Sequence, residues 1–153
     1  MTRAKPAAAP APAAASASEA VAASITLDSS CWLEFFADSD RADLYADAIA
    51  NTELLVVPVL TVYEVAKKIA REAGDEVAAK ALSLMQRGRV IDIDLPLALA
   101  AAVNGLPLAD SLIYATARLH NAELWTQDSH FEGLPGVRYF NKPPSRPGAP
   151  TSA

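Results

Sequence analysis

Residues 108–128 read LADSLIYATARLHNAELWTQD, and this stretch decides the fold. Its first part predicts a helix that ends at Asn121, because asparagine tolerates the left-handed backbone that closes a helix. Residues 123–126 then predict a short buried strand, so the stretch forms one helix–strand unit. Asp110 lies in the first turn of the helix, and Asp128 lies two residues past the strand. A carboxylate therefore lies near the start of the helix and another lies just after the strand.

Outward from that unit, apolar runs and amphipathic stretches alternate along the chain. The apolar runs are continuous, which is typical of strands buried on both faces of a parallel sheet. Strands that alternate with helices predict a three-layer α/β/α fold, with a central parallel sheet of about five strands and right-handed crossovers. The predicted strands are 25–28, 54–57, 89–93, 123–126 and 137–140, and the predicted helices are 31–36, 40–51, 58–73, 76–87 (capped by Asp75), 95–103 and 108–120.

The chain of 153 residues predicts one folded domain between two unstructured ends. Residues 1–23 are mostly Ala, Pro and Ser, and their prolines interrupt any apolar helical segment, so a disordered extension is favoured over a signal peptide. Residues 24–142 carry the alternating pattern, and 143–153 are predicted to form a flexible tail. No apolar run reaches the roughly 20 residues of a membrane helix, so we expect a cytoplasmic protein without a membrane contact.

Composition excludes several classes of site. Cys31 is the single cysteine, so an internal disulfide is excluded, and we interpret Cys31 as a small buried hydrophobe. With two histidines, a structural Cys/His zinc site is not expected. His130 could touch a phosphate, but a plain surface-loop histidine is the favoured interpretation. Gly-rich phosphate loops and a Gly-x-Ser-x-Gly elbow are absent from the sequence.

Charge constrains any nucleic-acid partner. The net charge is −5, which argues against nucleic-acid binding through bulk positive charge. Such a partner must therefore be bound through local basic patches or through bound cations.

Four carboxylates are predicted to meet at one edge of the sheet, where ligands of parallel α/β folds collect. Asp28 ends the first strand, and Asp128 follows the fourth. Asp110 starts a helix, and Glu64 lies in the second turn of the helix after the second strand. Structural explanations stay open, because Asp28 and Asp128 could cap helices and Asp110 could stabilise a helix N-terminus. Glu64 lies away from the apolar stripe of its helix, formed by Val59, Val62, Ala66, Ile69 and Ala73, and could pair with Lys68 at i,i+4.

Gathered together, these carboxylates indicate a metal site. Two carboxylates about 4 Å apart repel by roughly 4 kcal/mol at an effective dielectric near 20, so a cluster must raise its pKa values or bind a cation. Oxygen ligands without Cys or His select Mg²⁺ or Mn²⁺ over zinc. Such an ion activates water and neutralises charge on a phosphodiester, which also lets an acidic protein act on a polyanion.

Four stretches resemble the sequence motifs of PIN-domain nucleases. Residues 27–33 (LDSSCWL) are similar to the first motif, and residues 58–65 (PVLTVYEV) are similar to the second. Residues 108–117 match the third motif and residues 124–137 the fourth, and these two are the more specific. The resemblance covers about 24–142 and includes a PIN-like fold. In length and in the residues of its motifs, the chain is most similar to the VapC toxins of bacterial toxin–antitoxin pairs.

The resemblance implies endonucleolytic cleavage of RNA that depends on Mg²⁺ or Mn²⁺. Asp28 and Asp110 are implied as the primary metal ligands, and Glu64 and Asp128 as the residues that complete the catalytic acidic site. The resemblance also implies a homodimer and a small cognate antitoxin that covers the site. The Ala/Pro-rich extension departs from the family pattern, in which the first aspartate lies a few residues from the start.

Further residues are candidates for a supporting role. The resemblance implies that Thr126 and Ser29 orient the carboxylates. Basic side chains on the helices that carry Glu64 and Asp110 could hold RNA phosphates, which fixes position without reading sequence, or could be solvated surface residues. These candidate RNA contacts are Lys67, Lys68, Arg71 and Arg118.

Two other functions stay open on the sequence alone. One is a catalytically silent PIN module that binds RNA or protein, although such a module has no need of four mutually repelling carboxylates. The other is an α/β phosphatase, but the second aspartate of its nucleophile pair is missing, because position 30 is Ser. Calorimetry with Mn²⁺ separates the silent module from a nuclease, and competition between a phosphomonoester and RNA separates the phosphatase.

Overall fold

The computed structural model describes residues 23–143, so almost all of the predicted extension and tail lies outside the described residues. The strands within this range are Ser24–Leu27 (β1), Val56–Pro58 (β2), Arg89–Ile91 (β3), Ala122–Thr126 (β4) and Val137–Tyr139 (β5). β4 pairs in parallel with both β1 and β5, and β2 pairs in parallel with β3. A parallel bridge between Ile25 and Leu55 joins the two ladders, which gives the strand order β3-β2-β1-β4-β5.

Helices cover both faces of this sheet. They are Ser29–Phe36 (α1), Asp43–Ala50 (α2), Val59–Ala73 (α3), Asp75–Met85 (α4), Leu95–Ala102 (α5) and Leu108–Leu119 (α6). The first four helices contribute to one apolar core, and α6 packs into a second core, with α5 against it. The predicted three-layer α/β/α architecture with a parallel sheet of five strands is therefore confirmed. Among the helices of residues 23–143, none has the length and apolarity to cross a membrane.

The central strands are apolar because both of their faces are buried. Leu55 and Val57 belong to the core with α1 to α4, whereas Val56 between them belongs to the core with α6. All three residues are at most 2% exposed. Successive side chains of a strand point to opposite faces, so a strand between two helical layers has no solvent-facing position to fill with a polar residue.

Several element boundaries differ from the prediction by one to three residues. α1 begins at Ser29, two residues early, because the Asp28 side chain accepts a hydrogen bond from the Ser29 backbone N–H at 2.7 Å and caps the helix. α4 is capped by Gly74 with φ at 93°, and Asp75 is its first residue instead of its cap. β3 pairs with β2 alone and ends at Ile91, where its pairing with Pro58 stops and the exposed Asp92 follows.

α3 buries a different face from the predicted one. The predicted stripe was Val59, Val62, Ala66, Ile69 and Ala73. The buried residues are Thr61, Val65 and Ile69, so the helix is rotated towards Thr61. Glu64 comes three residues after Thr61 and one before Val65, which places it at the margin of the buried face. This rotation brings Glu64 to the carboxyl edge of the sheet.

Candidate active site

Asp28 directly follows β1 and is the most deeply buried of the four predicted carboxylates, with 5% of its surface exposed. Its Oδ1 accepts the Ser29 backbone N–H at 2.7 Å, so the capping explanation applies to this oxygen. Its Oδ2 accepts the hydroxyl groups of Ser30 at 3.1 Å and Thr126 at 2.9 Å. Capping does not account for the Thr126 bond, which comes from a different strand. A buried carboxylate needs such partners, and here they also fix its orientation.

Thr126 links the ends of two neighbouring strands. β1 and β4 pair in parallel, with Leu27 opposite Trp125, so the residues that follow them lie side by side. The Thr126 hydroxyl donates to Asp28 and accepts the backbone N–H of Asp128, both at 2.9 Å. One buried hydroxyl therefore positions two carboxylate-bearing residues.

Glu64 reaches the same edge from α3. The Ser29 hydroxyl lies 3.3 Å from Oδ1 of Asp28 and 3.3 Å from Oε1 of Glu64, so Ser29 stands between the two carboxylates. Lys68 pairs with Glu72 at 3.6 Å, so the alternative in which Lys68 pairs with Glu64 was wrong. The Glu64 carboxylate lies instead within hydrogen-bond distance of the Ser29 hydroxyl.

Asp110, Asp128 and His130 form a second group beside Asp28. The His130 Nδ1 atom lies 3.1 Å from Oδ2 of Asp110 and 3.3 Å from Oδ1 of Asp128. Asp128 also caps the 3₁₀ turn Ser129–Phe131, since its Oδ1 accepts the His130 backbone N–H at 2.9 Å. His130 was missed as a site residue, because a histidine two residues after Asp128 in a polar loop resembles any surface histidine.

The carboxylates perturb one another electrostatically. Burial raises the pKa of Asp28, hydrogen bonds from Thr126, Ser30 and Ser29 lower it, and the charge of Asp110 raises it. Burial and the charges of Asp28 and Asp110 raise the pKa of Glu64. Burial and the charge of Asp128 raise the pKa of Asp110, and contact with His130 lowers it. A bound cation relieves this repulsion.

The donor set fits a divalent cation. One ligand atom from each of Asp110, Asp128 and His130 lies within 4.8 Å of the others. Within residues 23–143, these three residues form the group of acidic and histidine side chains that could hold a metal ion. Carboxylate oxygens suit Mg²⁺ and Mn²⁺, whereas an imidazole nitrogen suits transition metals, so His130 adds one nitrogen to a ligand set that was predicted to be all oxygen. Asp28 and Glu64 lie outside this group, so the predicted four ligands are divided into two linked pairs.

The predicted basic residues fall on two different parts of the molecule. An open groove of about 270 Å³ next to the site is lined by Tyr63, Glu64, Lys67, Lys68 and Arg71. Arg118 lies in the last turn of α6, about 12 Å along the helix from Asp110, and packs near Gly136 ahead of β5. Three of the four predicted cations therefore line a groove that Glu64 shares, whereas Arg118 lies at the end of α6 away from Asp110.

Comparison with known proteins gives the family. The PIN domain model matches residues 25–137, which is most of the chain. No curated protein sequence matches the chain closely enough to count as a relative.

Solved structures share the fold. A toxin–antitoxin complex from Klebsiella pneumoniae is similar at 26% identity and a TM-score of 0.65, over 75% of this chain and 96% of that one. VapBC2 from Rickettsia felis, bound to promoter DNA, has 16% identity and a TM-score of 0.59, over 76% and 98%. Mycobacterium tuberculosis VapC20, a sarcin–ricin loop cleaving toxin, has 18% identity and a TM-score of 0.54, over 65% and 85%. The predicted resemblance to VapC-type PIN proteins is confirmed, and the chain belongs to the PIN-domain family.

Proposed function

We propose that this protein is a metal-dependent endoribonuclease that hydrolyses RNA phosphodiester bonds and is the toxin of a toxin–antitoxin pair. The observation that carries the proposal is the convergence of donor atoms from Asp110, Asp128 and His130 within 4.8 Å, beside the buried Asp28. Membership of the PIN-domain family supports nuclease chemistry, and the similar VapC20 is a toxin that cleaves the sarcin–ricin loop of RNA.

The residues of the site have separate tasks in this proposal. A bound divalent ion supplies a water of lowered pKa and offsets negative charge on the phosphodiester. Asp110 and Asp128 would present oxygens to the ion, and the buried Asp28, which Thr126 orients, would lie beside them. Burial and the charges of Asp28 and Asp110 raise the pKa of Glu64, which makes its carboxylate a stronger base than a free carboxylate. The Glu64 carboxylate is therefore the proposed proton acceptor.

The groove beside Glu64 is the proposed track for the RNA backbone. It carries Lys67, Lys68 and Arg71, and it borders the carboxylate cluster at Glu64 itself. The chain as a whole has a net charge of −5, so this local positive charge and the ion together supply the attraction to a polyanion. Arg118 is not part of this track, because it lies at the other end of α6.

Cleavage by purified variants tests the function. We expect wild-type protein to cleave RNA oligomers in Mg²⁺ or Mn²⁺, and Asp110→Asn and Asp128→Asn to lose at least about 100-fold in rate, since each removes a charge from the ion site. The matched control is Asp47→Asn, an exposed position on α2 that should retain full activity. Full cleavage by a folded, sequence-verified Asp110→Asn protein would contradict the mechanism.

We also propose that an antitoxin segment covers the site. Three similar solved structures are toxin–antitoxin complexes. An apolar groove of about 330 Å³ lies between α1, α3 and α4, and its apolar walls suit a helix from a partner. It is lined by Leu33, Phe36, Ala37, Ile69, Ala73 and Val77, with Lys68 and Glu72 at the rim.

The antitoxin proposal predicts a small reading frame directly upstream of the gene for this protein. When the two are expressed together, the product of that reading frame should copurify with this protein and inhibit RNA cleavage. Cleavage without any such partner would leave the nuclease and remove the toxin assignment. Because RNA is the proposed substrate, we also propose that the protein acts in the cytoplasm.

A homodimer is the last part of the proposal. The side of α5 and the start of α6 expose four large apolar residues, each at least 62% accessible, which is typical of an interface. They are Leu95, Leu99, Val103 and Leu108.

A further inference from the structure

We propose that the Nδ1 atom of His130 is a ligand of the divalent ion held by Asp110 and Asp128, and that this nitrogen makes the site prefer Mn²⁺ to Mg²⁺. The inference rests on the proposed metal dependence and adds a residue that the sequence pattern did not assign to the metal. It replaces an all-oxygen site by a site with two oxygen ligands and one nitrogen ligand from the protein.

The spacing of the three donor atoms supports ligation. In octahedral coordination with bonds of about 2.1 Å, neighbouring ligand atoms lie about 3 Å apart. The His130 Nδ1 atom lies 3.1 Å from the Asp110 oxygen and 3.3 Å from the Asp128 oxygen, so it can occupy a position next to each.

The backbone holds the imidazole over the site. His130 is in the middle of the turn Ser129–Phe131, and its N–H is bonded to the Asp128 side chain at 2.9 Å. The next residue, Phe131, is fully buried in the core with α6. His130 is therefore anchored from both sides, although its own side chain is 60% exposed.

Nitrogen ligation has a consequence for metal choice. Mg²⁺ prefers oxygen ligands and retains several waters, whereas imidazole favours transition metals. Removing His130 should therefore weaken Mn²⁺ binding more than Mg²⁺ binding. A histidine that merely donates a hydrogen bond to a carboxylate would change both affinities by the same factor.

Pulsed electron paramagnetic resonance of Mn²⁺ bound to the full chain tests the ligand directly. The chain has two histidines, and His120 contacts Arg89 on another part of the molecule. We expect a histidine nitrogen coupling to Mn²⁺ in the wild-type protein and in His120→Ala, and its loss in His130→Ala. Calorimetry should show about tenfold or greater weakening of Mn²⁺ binding in His130→Ala, with a clearly smaller change for Mg²⁺.

Several results overturn the inference. They are Mn²⁺ binding without nitrogen coupling in the wild-type protein, a coupling that survives in His130→Ala, and equal weakening of both metals. The variant His130→Gln keeps a polar side chain and should lose the coupling as His130→Ala does, and unchanged circular dichroism spectra and unfolding midpoints of both variants exclude a local folding defect. RNA cleavage is measured separately, because Mn²⁺ binding with nitrogen coupling but no cleavage refutes the nuclease and leaves the ligand assignment intact.

Discussion

Thr126 shows how a single side chain organises this site. Its hydroxyl donates to Asp28 and accepts from the backbone of Asp128. Valine has the same shape without the hydroxyl, so Thr126→Val leaves a buried carboxylate and a backbone N–H each short of one partner. We expect the free energy of unfolding to fall by about 1–3 kcal/mol and Mn²⁺ binding to weaken. Urea denaturation and calorimetry measure the two effects.

Thr26 supplies the matched control for that substitution. It lies on β1 and is equally buried, but its hydroxyl has no hydrogen-bond partner among residues 23–143. Removing an unpartnered buried hydroxyl costs little, so Thr26→Val should be neutral or slightly stabilising. Equal losses in the two variants would show that the bonds of Thr126 do not matter.

Ionisation of Asp28 makes the free energy of unfolding of the metal-free protein depend on pH. Burial raises its pKa above the ordinary value of 3.8, so the folded metal-free protein binds this proton at pH values where the unfolded chain has released it. The unfolded state binds fewer protons in that window, and the contribution of Asp28 to the free energy of unfolding falls as the pH rises above 3.8. Asp28→Asn removes this contribution.

The pH prediction is checked by denaturation in EDTA at a series of pH values from about 4 to 7. We expect the stability of Asp28→Asn to fall less steeply than that of the wild-type protein over this range. Superimposable profiles would mean that Asp28 ionises at its ordinary pKa in the folded state.

At the scale of elements, β1, α1 and β4 meet at a junction that positions Asp28 and Asp128. Cys31 lies in the first turn of α1 and packs with its Sγ atom 3.3 Å from the Trp125 carbonyl oxygen. Burial and the charge of Asp28 raise the pKa of its thiol to about 12. At pH 8 the thiolate fraction is then about one in ten thousand, so the thiol should be unreactive.

Thiol labelling measures how firmly that junction is closed. We expect Cys31 to resist a thiol-specific reagent in native buffer at pH 8 and to react fully in guanidinium chloride. Rapid labelling under native conditions would mean that α1 separates from β4 easily, which is incompatible with a rigid carboxylate cluster.

The same elements show what the sequence could predict. Strands buried on both faces read as continuous apolar runs, so the parallel sheet was predictable, and Asn121 adopts a φ of 51° at the predicted end of α6. The buried face of α3 could not be predicted, because Thr61 is buried through tertiary packing that hydrophobic periodicity does not encode. The position of His130 depends on how the turn Ser129–Phe131 folds, and the local sequence pattern does not specify that turn. The separation of Arg118 from the site follows from the length of α6, which a search for basic residues near the motifs does not take into account.

At the scale of the whole molecule, an acidic chain is proposed to act on RNA as a dimer. The exposed apolar side of α5 is the proposed dimer contact, because such a patch is costly to leave in water. Leu99→Glu places a charge in its middle and should convert the protein to a monomer in light scattering. Leu119→Glu, at an exposed position on the far end of α6, is the control and should remain dimeric. A dimeric Leu99→Glu protein would place the interface elsewhere.

The central claim is that the carboxylate cluster binds the ion that cleavage requires, and a metal titration of RNA cleavage tests it most directly. Protein stripped with EDTA is titrated with Mn²⁺ while cleavage of a labelled RNA is followed, and Mn²⁺ binding is measured in parallel. We predict no cleavage without metal and a rate that saturates with the same midpoint as binding. Undiminished cleavage in EDTA, or saturated Mn²⁺ binding without cleavage, would contradict the account.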